Sequence, residues 1–299
     1  MFPLATPFES AAVQLLNGVT IGVLLALAAI GLTLIFGYLQ IINFAHGSFY
    51  MLGGYTLFTV VDLTGSFWLG LIAAPLIVGV LSMATEKILL RPTYDLNPIT
   101  QMLIMVGVAL VIEGSVLIVW GEQSKGVDVP AAFAGQVTWL GVTTPVYRLF
   151  LLVTGIVLIG GVWGFLRFTR IGLIVRASLD DKQMVRAFGV DINTIYMGVF
   201  AGGVALAAVA GALTVPIRGV SPVTGTSVLL DAFIIVVIGG LGSFRGSIVA
   251  GLGVGILSVL ITRNVSTRLS GLVIFLILIA VLVLRPRGLF GQKGVFADE

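Results

Sequence analysis

The residues with the most chemical scope lie where polar groups are most costly. Ser48, Tyr55, Thr59 and Asp62 interrupt an apolar run at spacings that put them on one side of a helix turning about 100° per residue. Asn43, His46 and Gly47 stand just before them, Glu113 lies inside another apolar run, and Asp231 lies near the start of a third. Polar groups at membrane depth either pair with one another or mark the route of a polar solute. The stripe and Glu113 therefore read as a candidate hydrated pathway, with pairing of Glu113 or Asp231 to Arg218 or Arg148 as the structural alternative. His46-Gly47-Ser48 and Arg245-Gly246-Ser247 each open a short apolar segment. A helix start with free N–H groups can hold an anion, although capping of a short helix by Gly and Ser is the simpler account of both.

Catalytic patterns are missing. None of Lys87, Lys125, Lys182 and Lys293 precedes Ser or Thr, so the phosphate-binding GxxxxGK[ST] loop is absent and the chain cannot be its own ATPase. The glycine-rich stretch from Gly239 to Gly246 lacks GxGxxG spacing. One histidine cannot build a His-based metal site, and His46 beside Ser48 has no nucleophile-elbow frame. With no cysteine, disulfides and thiolate chemistry are also excluded. The expectation is a chain without catalytic residues, metal or cofactor of its own. Its net charge of +3 comes from basic residues scattered through loops, not from a nucleic-acid-binding tract.

The elements that must position these residues are membrane helices. Of 299 residues 58% are hydrophobic and 10% charged, with a mean hydropathy of +1.16, which predicts an all-α polytopic membrane protein. Apolar runs long enough to cross about 30 Å of hydrocarbon fall at 13–36, 68–90, 99–120, 148–166, 194–216 and 269–284. Shorter ones at 48–61, 229–240 and 247–262 bring the expectation to eight or nine segments, some short or discontinuous. The N-terminal MFPLATPFES lacks the basic region of a cleavable signal and is kept as the approach to the first helix. One domain spanning 1–299 is expected. Placing the N-terminus outside puts 11 of the 16 Arg and Lys residues inside, together with the C-terminus. The loop 121–147 then lies outside, with room for a short hairpin.

The densest run of charge is Arg167 to Asp191, with five Arg or Lys and three Asp. It must lie in water, and its basic excess assigns the loop 167–193 to the cytoplasm. Ser178 is predicted to cap a helix with Asp181 as its third residue, and Gly189 to end it. Met184, Val185 and Phe188 alternate there with Lys182 and Arg186, giving an amphipathic three-turn helix suited to a lipid surface or a cytoplasmic partner. Small residues at helical spacing predict close seams between helices: Gly18 with Gly22, Gly251 with Gly255, and a stripe of Gly198, Gly202, Ala205, Val209 and Ala212.

Four stretches in order, IINFAHGSFYMLGGY at 41–55, RASLDDKQMVRAFGVD at 176–191, DAFIIVVIGGLGSFRGS at 231–247 and LRPRGLFG at 284–291, resemble the permease subunits of the branched-chain amino-acid ABC importers. The resemblance covers nearly the whole chain. It implies an inner-membrane permease that pairs with a second, homologous or identical, permease subunit. Two cytoplasmic ATPase subunits would carry the ATP and Mg, and a periplasmic binding protein would deliver the solute. It makes Arg176, Ala177, Ser178, Asp181, Arg186, Phe188 and Gly189 the coupling helix, and it places Asn43, His46, Gly47 and Ser48 near the translocation route. Family members often carry an acidic residue where this chain has Ser48, and the family includes permeases for urea and short amides. The solute therefore stays open at this point, as does an ion-coupled carrier from another class, for which Glu113 is the deepest acid available.

Overall fold

In hydrocarbon the backbone has no water to satisfy its N–H and C=O groups, so each apolar run closes its own hydrogen bonds as a helix. The computed structural model describes residues 7–139, 142–180 and 182–291. Its main helices are α1 (Pro7–Leu39), α2 (His46–Thr64), α3 (Phe67–Thr85), α4 (Pro98–Trp120), α5 (Val146–Phe168), α8 (Ile192–Arg218), α9 (Thr224–Gly239), α10 (Phe244–Asn264) and α11 (Thr267–Leu284). Between α5 and α8 lie α6 (Arg170–Asp180) and the short α7 (Lys182–Ala187). The strands β1 (Gln136–Trp139) and β2 (Val142–Pro145) pair antiparallel and form the hairpin expected between α4 and α5.

Among the described residues six segments are long and apolar enough to cross a membrane, within α1, from α3 to Thr93, and in α4, α5, α8 and α10; α9 and Leu269–Leu284 of α11 are shorter apolar helices, so the run at 269–284, expected to be long, is corrected to the shorter group. The run at 247–262, expected to be short, belongs to the long group. Ser243 accepts a hydrogen bond from Gly246 N at 3.1 Å and so starts a helix of 21 residues, one turn before the apolar run begins.

α1 is the axis of the bundle. The most apolar stretch of α1 is 83% buried and that of α8 61%, against 11% for α5, so α1 and α8 sit inside while α5 lies at the edge. The outer faces of α3, α4 and α5 expose large aliphatics such as Ile72, Leu76, Leu103, Ile118 and Val157, as a lipid-facing surface does.

The paired glycines of α1 and α10 form a true seam. A Cβ on Gly18 would stand 2.7 Å from Ile256 Cα, one on Gly22 2.8 Å from Leu252 Cα, and one on Gly251 2.8 Å from Ala26 Cα. Only hydrogen fits there, and the backbones gain the dispersion contact that replaces a hydrophobic driving force in lipid. The stripe assigned to α8 is a correction. Gly198 and Gly202 face outward, with nothing within 4 Å of an added Cβ. The close face of α8 is instead carried by Gly203 against Gly31 and by Gly211 against Tyr50. Gly255→Leu is accordingly expected to destabilise the purified subunit by about 1–3 kcal/mol or more through overpacking. Gly198→Leu should leave the melting temperature in detergent unchanged, and scanning fluorimetry of the two variants checks the contrast.

At the far end of α3 the helix widens into a π turn, Glu86–Leu90. Glu86, fully buried, takes Arg91 at 2.9 Å and the Tyr94 hydroxyl at 2.6 Å. That shell satisfies a carboxylate that would otherwise be very costly at this depth, and it fixes the turn 91–97 that leads into α4.

Candidate functional site

The candidate pathway begins where the chain re-enters the bundle. Gln40 takes a left-handed conformation (φ 58°) that ends α1, and Asn43 Oδ1 accepts from Ala45 N at 3.0 Å to turn the chain back. His46, with no exposed surface, donates from Nε2 to Ala28 O at 2.9 Å, about three turns before α1 ends. α2 therefore starts deep in the protein, which is tolerable for non-helical backbone only because most of 41–45 is buried. The donation fixes the tautomer, and among the described residues His46 Nδ1 and Asn43 Nδ2 are buried without hydrogen-bond partners. Gly47 abuts Gly225 so closely that a Cβ would strike its carbonyl, and Gly246 meets Gly239 in the same way. Both predicted helix starts are thus real, yet protein backbone covers each of them.

One turn on, the side chains open onto a cavity of about 170 Å³ between α2, α4 and α9. Ser48, Glu113 and Thr226 supply its polar groups, and Phe44, Leu110 and Leu229 are among its apolar walls. Thr226 donates its hydroxyl to Glu113 Oε1 at 3.1 Å. So Glu113 is oriented by Thr226, and neither Arg148 nor Arg218 forms an ion pair with it among the described residues. The space equals about six waters at roughly 30 Å³ each. One carboxylate and two hydroxyls in an apolar setting can hold an ammonium or other hydrogen-bonding cationic head.

Farther along the stripe the structure places Tyr55 and Thr59 against α4, outside this cavity. The Tyr55 ring lies 4.9 Å from that of Trp120, whose Nε1 donates to Thr59 Oγ1 at 2.9 Å. Asp62 is exposed at the end of the stripe. Sequence reasoning brought Ser48 and Glu113 forward but missed Thr226 and Trp120. Their only signal was a polar residue in the first turn of a short apolar helix and an aromatic at a helix end. Asp231 joins Arg148 and Arg218 around a second, smaller cavity near the opposite end of the molecule from the charged segment.

The charged segment differs in detail from expectation. Ser178 is not a cap: it lies inside α6, buried, and donates to Val175 O at 2.7 Å. Thr169 starts the helix instead, its Oγ1 accepting from Gly172 N at 3.0 Å. The reason is packing, since Gly172, Val175 and Ser178 form the buried face of α6 and Gly172 has no room for a Cβ beside Leu166. Arg176 donates to Leu166 O and ties α6 back to α5. Asp181 lies outside the described residues. Gly189 does end α7, with φ 78° and its N–H on Arg186 O at 2.9 Å. Around this joint Ala177 and Arg186 are exposed, Met184 is 56% exposed and Phe188 80%, while Val185 is buried. Asp191 closes the segment as the cap of α8, and the Thr194 hydroxyl, at 2.6 Å, holds its carboxyl below the usual range. Among the described residues no group of three or more His, Cys, Asp and Glu is placed to hold a metal.

Residues 14–282 match the family described as branched-chain amino acid transport system, permease component. The chain belongs to this family. It is 31% identical over 300 residues to the high-affinity branched-chain amino acid transport system permease protein LivH of Salmonella typhimurium, covering 94% of this chain and 96% of that one. BraD of Pseudomonas aeruginosa is 30% identical with the same coverage. The probable permease LivH of Methanocaldococcus jannaschii is 28% identical over 90% of this chain and 89% of that one. No solved structure matches. As a member of the branched-chain permease family, the chain is a multi-pass membrane transport protein.

Proposed function

We propose that the chain is the permease subunit of an ATP-driven importer for branched-chain or related amino acids. It forms the pathway with a second permease subunit in the bacterial inner membrane, its N-terminus periplasmic and its C-terminus cytoplasmic. A periplasmic binding protein delivers the solute, and separate cytoplasmic ATPase subunits supply ATP and Mg. The observation that carries this reading is the joint of α6 and α7. A chain with no phosphate loop of its own holds Met184 and Phe188 out in water beside Arg186, where burial by a partner would stabilise by about 1.5–3 kcal/mol for each large side chain. The solute enters past Glu113, Ser48 and Thr226, with Asn43, His46 and Gly47 holding the start of α2 at the depth where the cavity forms. Tyr55 and Thr59 brace α2 on α4 beside that route. ATP-driven closure of the ATPases pulls α6 and α7 and biases the permease between outward-open and inward-open states.

Because the chain has no cysteine, a single introduced one is a unique reporter. In Met184→Cys, a membrane-impermeant maleimide is expected to label inside-out vesicles and not right-side-out cells, and co-expressed ATPase subunit should suppress the labelling. Labelling from the periplasmic side contradicts the orientation, and labelling that the ATPase leaves unchanged contradicts the docking.

A further inference from the structure

The second cavity lies between α1, α8, α9 and the start of α5, toward the end of the bundle that carries the hairpin. Its polar wall is Asn17, Thr20, Tyr50, Arg148, Thr214, Arg218 and Asp231. The hydroxyls there are already engaged: Tyr50 donates to Thr214 at 2.8 Å, and Thr214 to Ala210 O at 2.7 Å. Arg148 is oriented by a hydrogen bond to Asn17 Oδ1. The charges are not neutralised at contact distance. Among the described residues the single ion pair within 4.0 Å is Arg91 with Glu86, so Asp231 meets neither arginine. Arg218 is exposed at the rim, whereas Arg148 and Asp231 are half-buried. Ile21, Leu24, Ile217 and Val228 complete the wall with branched aliphatic surface.

Two guanidinium groups, one carboxylate and a branched aliphatic lining complement a molecule that carries a carboxylate, an ammonium and a branched apolar tail. We infer that this cavity is a receiving site for the amino-acid zwitterion, with Arg218 and Arg148 taking the carboxylate, Asp231 the ammonium, and Ile21, Ile217 and Val228 the side chain. The inference rests on the proposed import of amino acids and adds the residues that read the solute's two charges. Its physical basis is charge complementarity, the ligand's carboxylate facing the two guanidinium groups and its ammonium facing Asp231. Partly desolvated ions without a partner at contact distance are costly, and a ligand bearing both signs offers each of the three groups an opposite charge. The enclosed space is about 60 Å³ in this conformation, roughly that of two waters. It admits a charged head group, and its walls must part before a whole leucine can enter.

The test is photo-crosslinking with diazirine-bearing leucine on the permease and ATPase complex in nanodiscs without binding protein, with the labelled residues mapped by mass spectrometry. Label is expected on α1 between residues 21 and 25 and on α8 near residue 217. It should fall about tenfold in Arg218→Gln and in Asp231→Asn and remain largely intact in Arg218→Lys. Two competitors act on the unaltered protein, so they do not depend on a variant folding. 4-Methylpentanoate, which lacks the ammonium, and 3-methylbutylamine, which lacks the carboxylate, should each displace the probe at least tenfold less well than leucine. Label elsewhere, or an amine competing as well as leucine, overturns the inference. ATP-driven leucine uptake by the wild-type complex with its binding protein is measured in parallel. If uptake occurs and the label lies elsewhere, the zwitterion site alone is lost. If the wild type imports no leucine, the proposed function falls and the site falls with it.

Discussion

Phe188→Asp is expected to bring ATP-driven uptake to background and to remove the ATPase subunits from the purified complex, while the permease stays in the membrane at its normal level. Phe188 is 80% exposed, so the fold loses almost nothing when it changes. A partner that buries the ring loses about 1.5–3 kcal/mol of apolar stabilisation. It must also accept a desolvated carboxylate at a cost of at least a further few kcal/mol. Together these exceed about 4 kcal/mol, or roughly a thousandfold in affinity. Arg186→Glu should act in the same direction through charge, since Arg186 is exposed beside it in the last turn of α7. Uptake and co-purification from membranes read both variants, and normal uptake by both would remove the joint of α6 and α7 from the mechanism.

The second large effect is expected at Glu113. Glu113→Leu removes the one carboxylate of the 170 Å³ cavity. Because a hydrogen bond to a charged group contributes about 1.5–3 kcal/mol, uptake should fall about 10- to 100-fold. Glu113→Gln keeps the acceptor for Thr226 and should lose less. Co-purification with the ATPase is expected to be unchanged in both, which separates a pathway defect from an assembly defect. Unchanged uptake kinetics in Glu113→Leu would move the route away from α2, α4 and α9.

What could be read from the residues followed the length scale of the interaction. Among the described residues helices occupy the expected apolar runs, six of them long and apolar enough to cross a membrane, because leucine, isoleucine and valine over a whole run leave the backbone no alternative in hydrocarbon. The seam of Gly18 and Gly22 with Gly251 and Gly255 was legible for a similar reason: each helix carries its own half of the pattern. On α8 the same reasoning chose the wrong face, since Gly198 and Gly202 repeat the four-residue spacing of Gly18 with Gly22, and spacing cannot say which side meets a neighbour. Ser178 with Asp181 looked more like a capping box than Thr169 with Gly172. The choice was made by the buried face of α6, which a single chain segment does not reveal. Ser48 and Glu113 could be picked out individually as polar residues at depth, but their meeting through Thr226, 113 residues from Glu113, is a tertiary fact.

The central claim is that this subunit supplies the path and another supplies the power. The most direct measurement is uptake of labelled leucine into proteoliposomes holding either the permease pair alone or the pair with its ATPase subunits and binding protein. The account expects uptake only in the second case and only with ATP and Mg. Leucine accumulation by the permease pair alone, driven by an ion gradient, would contradict it.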